Sequence, residues 1–311
     1  MAVNNSLQKS QKRLGIGSYL TGDAVKQRIN QVIGGKDGQR FISAVVSAVQ
    51  TNPGLQECTN QSILSAALLG ESLKLSPSPQ LGQYYMVPFN DRERGKVAQF
   101  QLGYKGYIQL AIRSGQYKKL NVLAIKDGEL IKFDPLNEEI EVRLIEDEEA
   151  REAAETIGYY AMFEYTNGFR KAIYWSKKKM LAHADKYSQA FSANGGTVKT
   201  RYGEKTKVSY SDYVAGNFDP KDAWMYSSFW YKDFDGMAYK TMLRQLISKW
   251  GIMSIDMASA VDADMAVIND DGTKDYVDND PDVIDMEPVS EPVQEAPAED
   301  IKSALFGGDG Q

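Results

Sequence analysis

The sequence predicts an α+β protein: a small antiparallel β-sheet with hairpins packed by helices, a helical N-terminal region and a disordered acidic C-terminal tail. Three observations carry this. Asp127-Gly128 and Asn167-Gly168 each stand between β-rich runs, the strongest short-range hairpin signal. Ile63, Leu64, Ala67, Leu68 and Leu73 recur at the three-and-four spacing of a helix with one buried face. After Ile255, Asp, Glu, Pro and Val dominate and aromatics nearly vanish, so that segment buries too little surface to offset its ordering entropy.

Taken in order, the first twenty residues are polar and read as a mobile N-terminus. Residues 23–33 form a short helix ended by Gly34-Gly35, and 41–49 a second, stopped ahead of Pro53. Thr59 is placed as the N-cap of a helix running to about Lys74. SPSPQLG (76–82) breaks the chain, and 84–88 and 97–102 pair as strands around the charged loop NDRERGK. Residues 104–114 are helical and closed by Gly115. VLAIK-DG-ELIKF (122–133) and IGYYAMFEYT-NG-FRKAIYW (157–175) each read as a hairpin with a type I′ turn. Residues 139–145 add a strand, and EDEEAREAAE (146–155) is a solvated helical or loop excursion. Ser176 caps a helix through Lys186. From 190 to 221 Gly, Ser, Thr, Lys and Tyr show little apolar period, which reads as a long mobile loop that needs a functional reason to persist. Residues 222–250 form a long helical stretch. Three parts follow: 1–20, a body at 21–255 and a tail at 256–311 in which IKSALF (301–306) alone offers an apolar turn to a partner.

Composition removes much enzymology. At 42% hydrophobic and 25% charged, the 311 residues are ordinary for a globular protein, which excludes collagen-like, fully disordered and disulfide-scaffold classes. No run of about 18 apolar residues occurs, and the start MAVNNSLQKS lacks a signal peptide's apolar region, so a cytosolic protein without a membrane span is expected. One cysteine, Cys58, and one histidine, His183, cannot build a Cys/His zinc site, a disulfide or most His-dependent triads. His183 reads as a surface residue on a Lys-rich helix. The net charge of −6 divides into −14 over 256–311 and +8 over 1–255. A basic body favours a polyanion partner, usually nucleic acid, against the plainer alternative of solubility.

Three constellations could meet such a partner. Lys105, Gln109 and Arg113 fall at i, i+4 and i+8 on the 104–114 helix, one polar stripe that Lys118 and Lys119 extend past its end. A solvated face would look the same. Six of the eleven residues at 224–234 are aromatic, as core or subunit contact, and beyond them Lys240 and Arg244 stand four apart beside Met237, Met242, Leu246 and Ile247. Cations snorkelling at a core edge are the alternative there. Lys199, Arg201, Tyr202, Lys205, Lys207 and Tyr210 interleave cations with rings, the chemistry of single-strand binders, or simply a flexible basic loop. Nucleotide-driven chemistry lacks its motif, because Gly34-Gly35-Lys36 and Gly95-Lys96 have neither the upstream glycine nor the following hydroxyl. Asp127, Glu129 and Lys132 are the nearest approach to a carboxylate–metal nuclease site, and they include a turn residue.

LGQYYMVPF (81–89), VAQFQLGYKGYIQLAIRSGQ (97–116) and FWYKDFDGMAYKTMLRQLISKW (229–250) resemble the RecT family of phage and prophage single-strand annealing proteins. The G-Y-K-G helix ending in R-S-G and the M-A-x-K-T-x-x-R pattern are specific together, and the resemblance covers about 40–255. It implies an annealing-protein core with no cofactor and no enzymatic activity, working without ATP in the cytoplasm of a bacterial host. Such a protein coats single-stranded DNA, forms an annealed duplex intermediate and assembles as rings or filaments. The groove cations it implies are Lys105, Arg113, Lys240 and Arg244. A partner exonuclease and a host single-strand-binding protein are expected to meet the C-terminal tail. SPSPQ departs from the shorter Gly/Pro turn of relatives. A metal-dependent DNA nuclease and a structural oligomer with an incidental basic face are the rival readings.

Overall fold

Helix formers and well-placed caps turn the first quarter of the chain into a helical wall. The computed structural model describes residues 14–276, apart from 92–93, 189, 201–202, 227 and 270. These residues fall within one unit, Met1–Asn279, and the second unit, Asp280–Gln311, lies outside them, as does IKSALF. Helices α1 (Ile16–Leu20), α2 (Asp23–Ile33), α3 (Gly35–Gln50), α4 (Pro53–Gln56) and α5 (Asn60–Ser72) come first. Leu20, fully buried, gives α1 its place inside the stretch expected to be mobile. Gly34, at φ 87°, turns the chain so sharply that α3 starts at once, earlier than position 41. Asn52 caps α4, and Thr59 caps α5 by accepting from the amide of Ser62.

Strands β1 (Tyr84–Asp91) and β2 (Gly95–Leu102) pair antiparallel from Tyr84↔Leu102 to Asp91↔Gly95, and α6 (Tyr104–Ser114) follows. Gly115, left-handed at φ 68°, ends α6 as the sequence predicts. Next come β3 (Tyr117–Lys126), β4 (Leu130–Asp134), β5 (Glu139–Val142), α7 (Glu148–Ala153), β6 (Thr156–Tyr165), β7 (Arg170–Ser176) and α8 (Lys177–Tyr187). Asn167-Gly168 joins β6 to β7 as a hairpin, and Ser176 caps α8. The Asp127-Gly128 hairpin is not formed. The turn is tight, with Gly128 at φ 82°, yet β3 pairs with β6 and β4 with β5. Two anchors divert the chain there: Asp127 N–H donates to Glu155 O, and the Glu129 carboxylate accepts from the amides of Lys126 and Ile145.

The stretch expected to be a loop at 190–221 holds a hairpin, β8 (Gly196–Thr200) with β9 (Gly203–Lys207), and a short helix, α9 (Tyr210–Val214). Ring packing orders it: Phe191 lies 4.8 Å from Tyr231, and Tyr213 4.9 Å from Tyr226. These contacts join distant positions, so they leave no local period. The expected long helix is a 3-10 segment (Pro220–Tyr226), then α10 (Phe229–Lys232) and α11 (Phe234–Trp250), interrupted at Asp233, whose side chain caps α11. Beyond Ile255 order persists through α12 (Ile255–Ala263), β10 (Ala266–Ile268) and β11 (Lys274–Tyr276). Met257, Ala260, Ala263 and Ala266 are buried, a short apolar stretch that the composition of the acidic segment masks.

The sheets run in the orders β1-β2-β10-β11, β3-β6-β7, β4-β5 and β8-β9. A first core gathers Val45, Leu64, Phe100, Tyr107 and Ala260 between the N-terminal helices, β1–β2, α6 and α12. A second lies under one face of β3-β6-β7, where Tyr159, Ala161 and Phe163 meet Trp230, Phe234 and Leu246. Helix α11 serves both, giving Leu243 and Ile247 to the first and Ala238, Met242 and Leu246 to the second. Each fully buried side chain of this size stabilises the fold by about 1.5–3 kcal/mol. The opposite face of β3-β6-β7 buries Ile125, Tyr160 and Met162 against Leu130, Ile140 and Val142 of β4–β5. Among the described residues no helix is long and apolar enough to cross a membrane.

Candidate nucleic-acid interface

Backbone approach seats α6. A Cβ on Gly103 would stand 2.1 Å from the Gly82 carbonyl oxygen, and one on Gly106 2.1 Å from that of Gln83. Both glycines of the L-G-Y-K-G run therefore let the start of α6 lie directly on the 82–83 main chain, where Gly103 N–H donates to Gln83 O at 2.9 Å. Tyr107, Leu110 and Ala111 are buried and fix the roll of the helix, so Lys105, Gln109 and Arg113 all face outward and are exposed. Arg113 Nη2 also donates to Leu73 O at 2.6 Å, which holds the guanidinium at the C-terminus of α5, where a cation is favoured.

Lys118 and Lys119, exposed at the start of β3, reach Glu164 at 2.6 and 3.5 Å. The hydrogen bond from Lys118, opposed by desolvation and aided by both lysine charges, holds the Glu164 carboxyl below the usual range. Arg170 lies opposite Glu164 in the register of the next strand, and its guanidinium donates to Tyr160 Oη at 3.4 Å.

The aromatic-cationic stretch at 199–210 does not form one surface. Lys199 sits in β8 opposite Glu204, and Arg201 and Tyr202 lie outside the described residues. Lys205 pairs with Asp222, with its ammonium 5.9 Å from the Trp224 ring. Lys207 turns inward: it is 9% exposed, donates to Ala190 O at 2.8 Å, and burial pushes its pKa down. Tyr210 packs between Phe191 and Phe234, and burial, with Asp235 and Tyr213 adding to it, pushes its phenol up to about 12.

Lys240 and Arg244 are placed differently from the expected groove. Lys240 is 6% exposed, and its ammonium donates to Asp264 Oδ1 at 2.9 Å; Arg244 Nη1 reaches Asp264 Oδ2 at 3.3 Å. Asp264, wholly buried as a side chain, also accepts from Leu102 N–H at 2.8 Å. The polar stripe of α11 thus turns inward onto a carboxylate whose position lies past the composition break, where the sequence offered no reason to look.

Asp127, Glu129 and Lys132 are dispersed in role. Burial pushes the Glu129 carboxyl up, but the Arg151 guanidinium at 2.6 Å and two backbone amides outweigh it and hold the pKa below the usual value. Lys132 pairs with Glu139 at 2.8 Å. Among the described residues no three His, Cys, Asp or Glu side chains gather to hold a metal ion. His183 is half-buried rather than superficial, with its ring 4.5 Å from Tyr187 and 5.4 Å from Trp175, because α8 lays it against the second core.

One feature escaped the sequence reading: two lysines stand over tryptophan rings. Lys171 Nζ lies 3.6 Å from the centre of Trp250, and Lys179 Nζ 4.2 Å from that of Trp175. The signals were present as W-S-K-K-K (175–179) and S-K-W (248–250), but the partners are brought together only by the sheet and α11.

A model described as the RecT family matches residues 39–282. The uncharacterized protein YqaK of Bacillus subtilis (strain 168) is 35% identical over 309 residues, 96% of this chain and 90% of that protein. Protein RecT of Escherichia coli (strain K12) is 28% identical over 233 residues, 73% of this chain and 71% of that one.

Proposed function

The chain belongs to the RecT family, a family of recombination and annealing proteins, and from that membership we propose that it binds single-stranded DNA and anneals complementary strands in phage homologous recombination without nucleotide hydrolysis. The observation that supports this most directly is the exposed stripe Lys105, Gln109, Arg113, which lies within the matched residues and whose helix is seated by Gly103 and Gly106. Successive members of the stripe are about 6 Å apart along the helix, a spacing that follows a strand drawn out beyond the ~3.4 Å per nucleotide of a duplex. The lysines and arginine neutralise phosphates on such a strand and release their counterions to the solvent, and the base edges stay open.

A second strand then tests its register by Watson–Crick pairing. Protein charge reduces the repulsion between strands, pairing supplies the free energy, and the duplex intermediate forms on the same surface. Lys118 and Lys119 extend the path. Lys240 and Arg244 contribute from beneath, by holding α11 to the sheet through Asp264. Oligomers lengthen the surface along a strand, and the acidic residues from 277 onward are the meeting place for an exonuclease and a host single-strand-binding protein.

Labelled complementary strands mixed with purified protein in EDTA, without ATP, test the reading on a gel. Full-length duplex is expected. Failure to anneal in EDTA, with strands shortened when Mg²⁺ is added, would establish the nuclease in its place.

A further inference from the structure

Among the described residues, strand β7 lies at an edge of its sheet, with β6 on one side only. The hairpin closes where Tyr165 N–H donates to Phe169 O at 2.8 Å, and the register runs from Glu164↔Arg170 to Gly158↔Ser176. Hydrogen-bonded pairs alternate along an antiparallel ladder, so the N–H and C=O of Ala172 and Tyr174 point away from β6 to the open edge. A cleft of about 210 Å³ there is lined by four rings, those of Phe133, Tyr174, Trp175 and Trp250. Trp250 is 50% exposed and Phe133 40%. Pockets for drug-sized molecules run from about 300 Å³ upward, so this one has room for a single ring system.

Charge around the cleft is unbalanced. Lys171 and Glu138, which line it, pair with one another; beyond the lining, Lys179 stands over the Trp175 ring and Lys249 precedes Trp250, and neither meets a carboxylate among the described residues. Burial pulls the Lys179 pKa down, and the Lys249 charge adds to that shift. Two like charges held together without an anion favour any anion that enters between them. Flat rings beside them favour a flat π-surface.

We propose that this cleft holds one nucleotide of a single strand, its base stacked among the rings of Trp250 and Phe133 and its phosphate between Lys179 and Lys249. The proposal rests on the single-strand reading above and adds to it a contact remote in sequence from the α6 stripe. Phosphate contacts alone grip any strand equally. A base pocket makes the grip depend on the presence of bases, and spaces the protein along the strand by whole nucleotides.

The test compares a fluorescein-labelled oligothymidylate with an abasic oligomer of the same length, by anisotropy. The unsubstituted protein is expected to prefer the strand with bases by about five- to 150-fold, the range of a single stacking contact. Trp250→Leu should remove most of that preference while binding the abasic strand as before, and Trp250→Phe should restore it in part. Lys249→Gln, at an exposed position, should weaken both strands equally and reduce the log–log salt slope by about 0.7. Equal affinity of Trp250→Leu and the unsubstituted protein for both strands, with an unchanged slope in Lys249→Gln, overturns the site alone. Binding of neither strand by the unsubstituted protein overturns the single-strand reading and the site with it.

Discussion

Lys240 donates to the fully buried carboxylate of Asp264 across 2.9 Å and so ties α11 to the segment after α12. Leu102 N–H donates to the same carboxylate, which makes Asp264 the point where the long helix and β2 meet. Asp264→Ala is expected to destabilise the protein by about 3–5 kcal/mol, the usual effect of stranding a buried charge. Urea unfolding measures it. A loss under 1 kcal/mol would show that Lys240 and Arg244 have ready access to water.

Lys105→Ala and Arg113→Ala should behave in the opposite way. Both side chains are exposed, so Lys105→Ala should leave stability within about 0.5 kcal/mol and Arg113→Ala, which also gives up the hydrogen bond to Leu73 O, should lose about 0.5–1.5 kcal/mol, while each substitution flattens the log–log salt dependence of single-strand binding by about 0.7. Lys240→Ala should unfold earlier in urea. A stable Lys240→Ala protein with selectively weakened DNA binding would return that lysine to the groove.

Gly106→Ala is expected to destabilise by about 1–3 kcal/mol, because the added methyl meets the main-chain oxygen of Gln83 and neither backbone can yield cheaply. Gly168→Ala carries strain of a different kind, a positive φ in open space, and should leave α6 untouched. Hydrogen exchange across 104–114 distinguishes them: only the Gly106 variant should lose protection there.

Glu129 gives a pH signature. Its folded pKa lies below the ordinary 4.5, so its contribution is complete above that value and is lost as pH falls through the depressed folded pKa. Glu129→Gln should therefore lower the melting temperature at neutral pH, and the gap to the unsubstituted protein should narrow as pH falls below 4.5 and close once it has passed the depressed folded value. A gap that widens in acid would contradict the Arg151 pairing.

Truncation separates the body from the acidic residues that follow it. Removing 256–311 takes away α12, Asp264 and β10, and the product should not fold. Removing only 277–311 takes away ten acidic residues and one lysine, so single-strand affinity should hold or rise, since a nearby polyanion competes with phosphate. Annealing of naked strands by both products, followed on a gel, decides the boundary.

Local signals were legible wherever a neighbouring residue carried the decision. Thr59 and Ser176 capped the helices they announced, Gly115 ended α6, and Asn167-Gly168 closed a hairpin. Asp127-Gly128 made its turn but not its hairpin, because strand pairing there is decided by β6, some thirty residues away. The ordering of 190–221 depends on rings such as Tyr231, and that dependence has no period to read. The candidate site divides along the same line. Outward-facing Lys105, Gln109 and Arg113 follow from helical spacing and a buried face, both local, whereas the inward turn of Lys240 and Arg244 depends on an aspartate in a stretch whose composition is that of a tail.

Synthesis runs from the N-terminus, and the sheet built on β1 and β2 has a late member. Phe100 of β2 waits for Ala266 of β10, and the amide of Leu102 for Asp264, across more than 160 residues of chain. While the ribosome is still making that interval, the first core stays open on one side and Lys240 of α11 lacks the carboxylate that receives it. Folding of this body is therefore completed only near the end of the residues that match the family, and a polypeptide released early by a broken message is left without a native state and open to proteolysis.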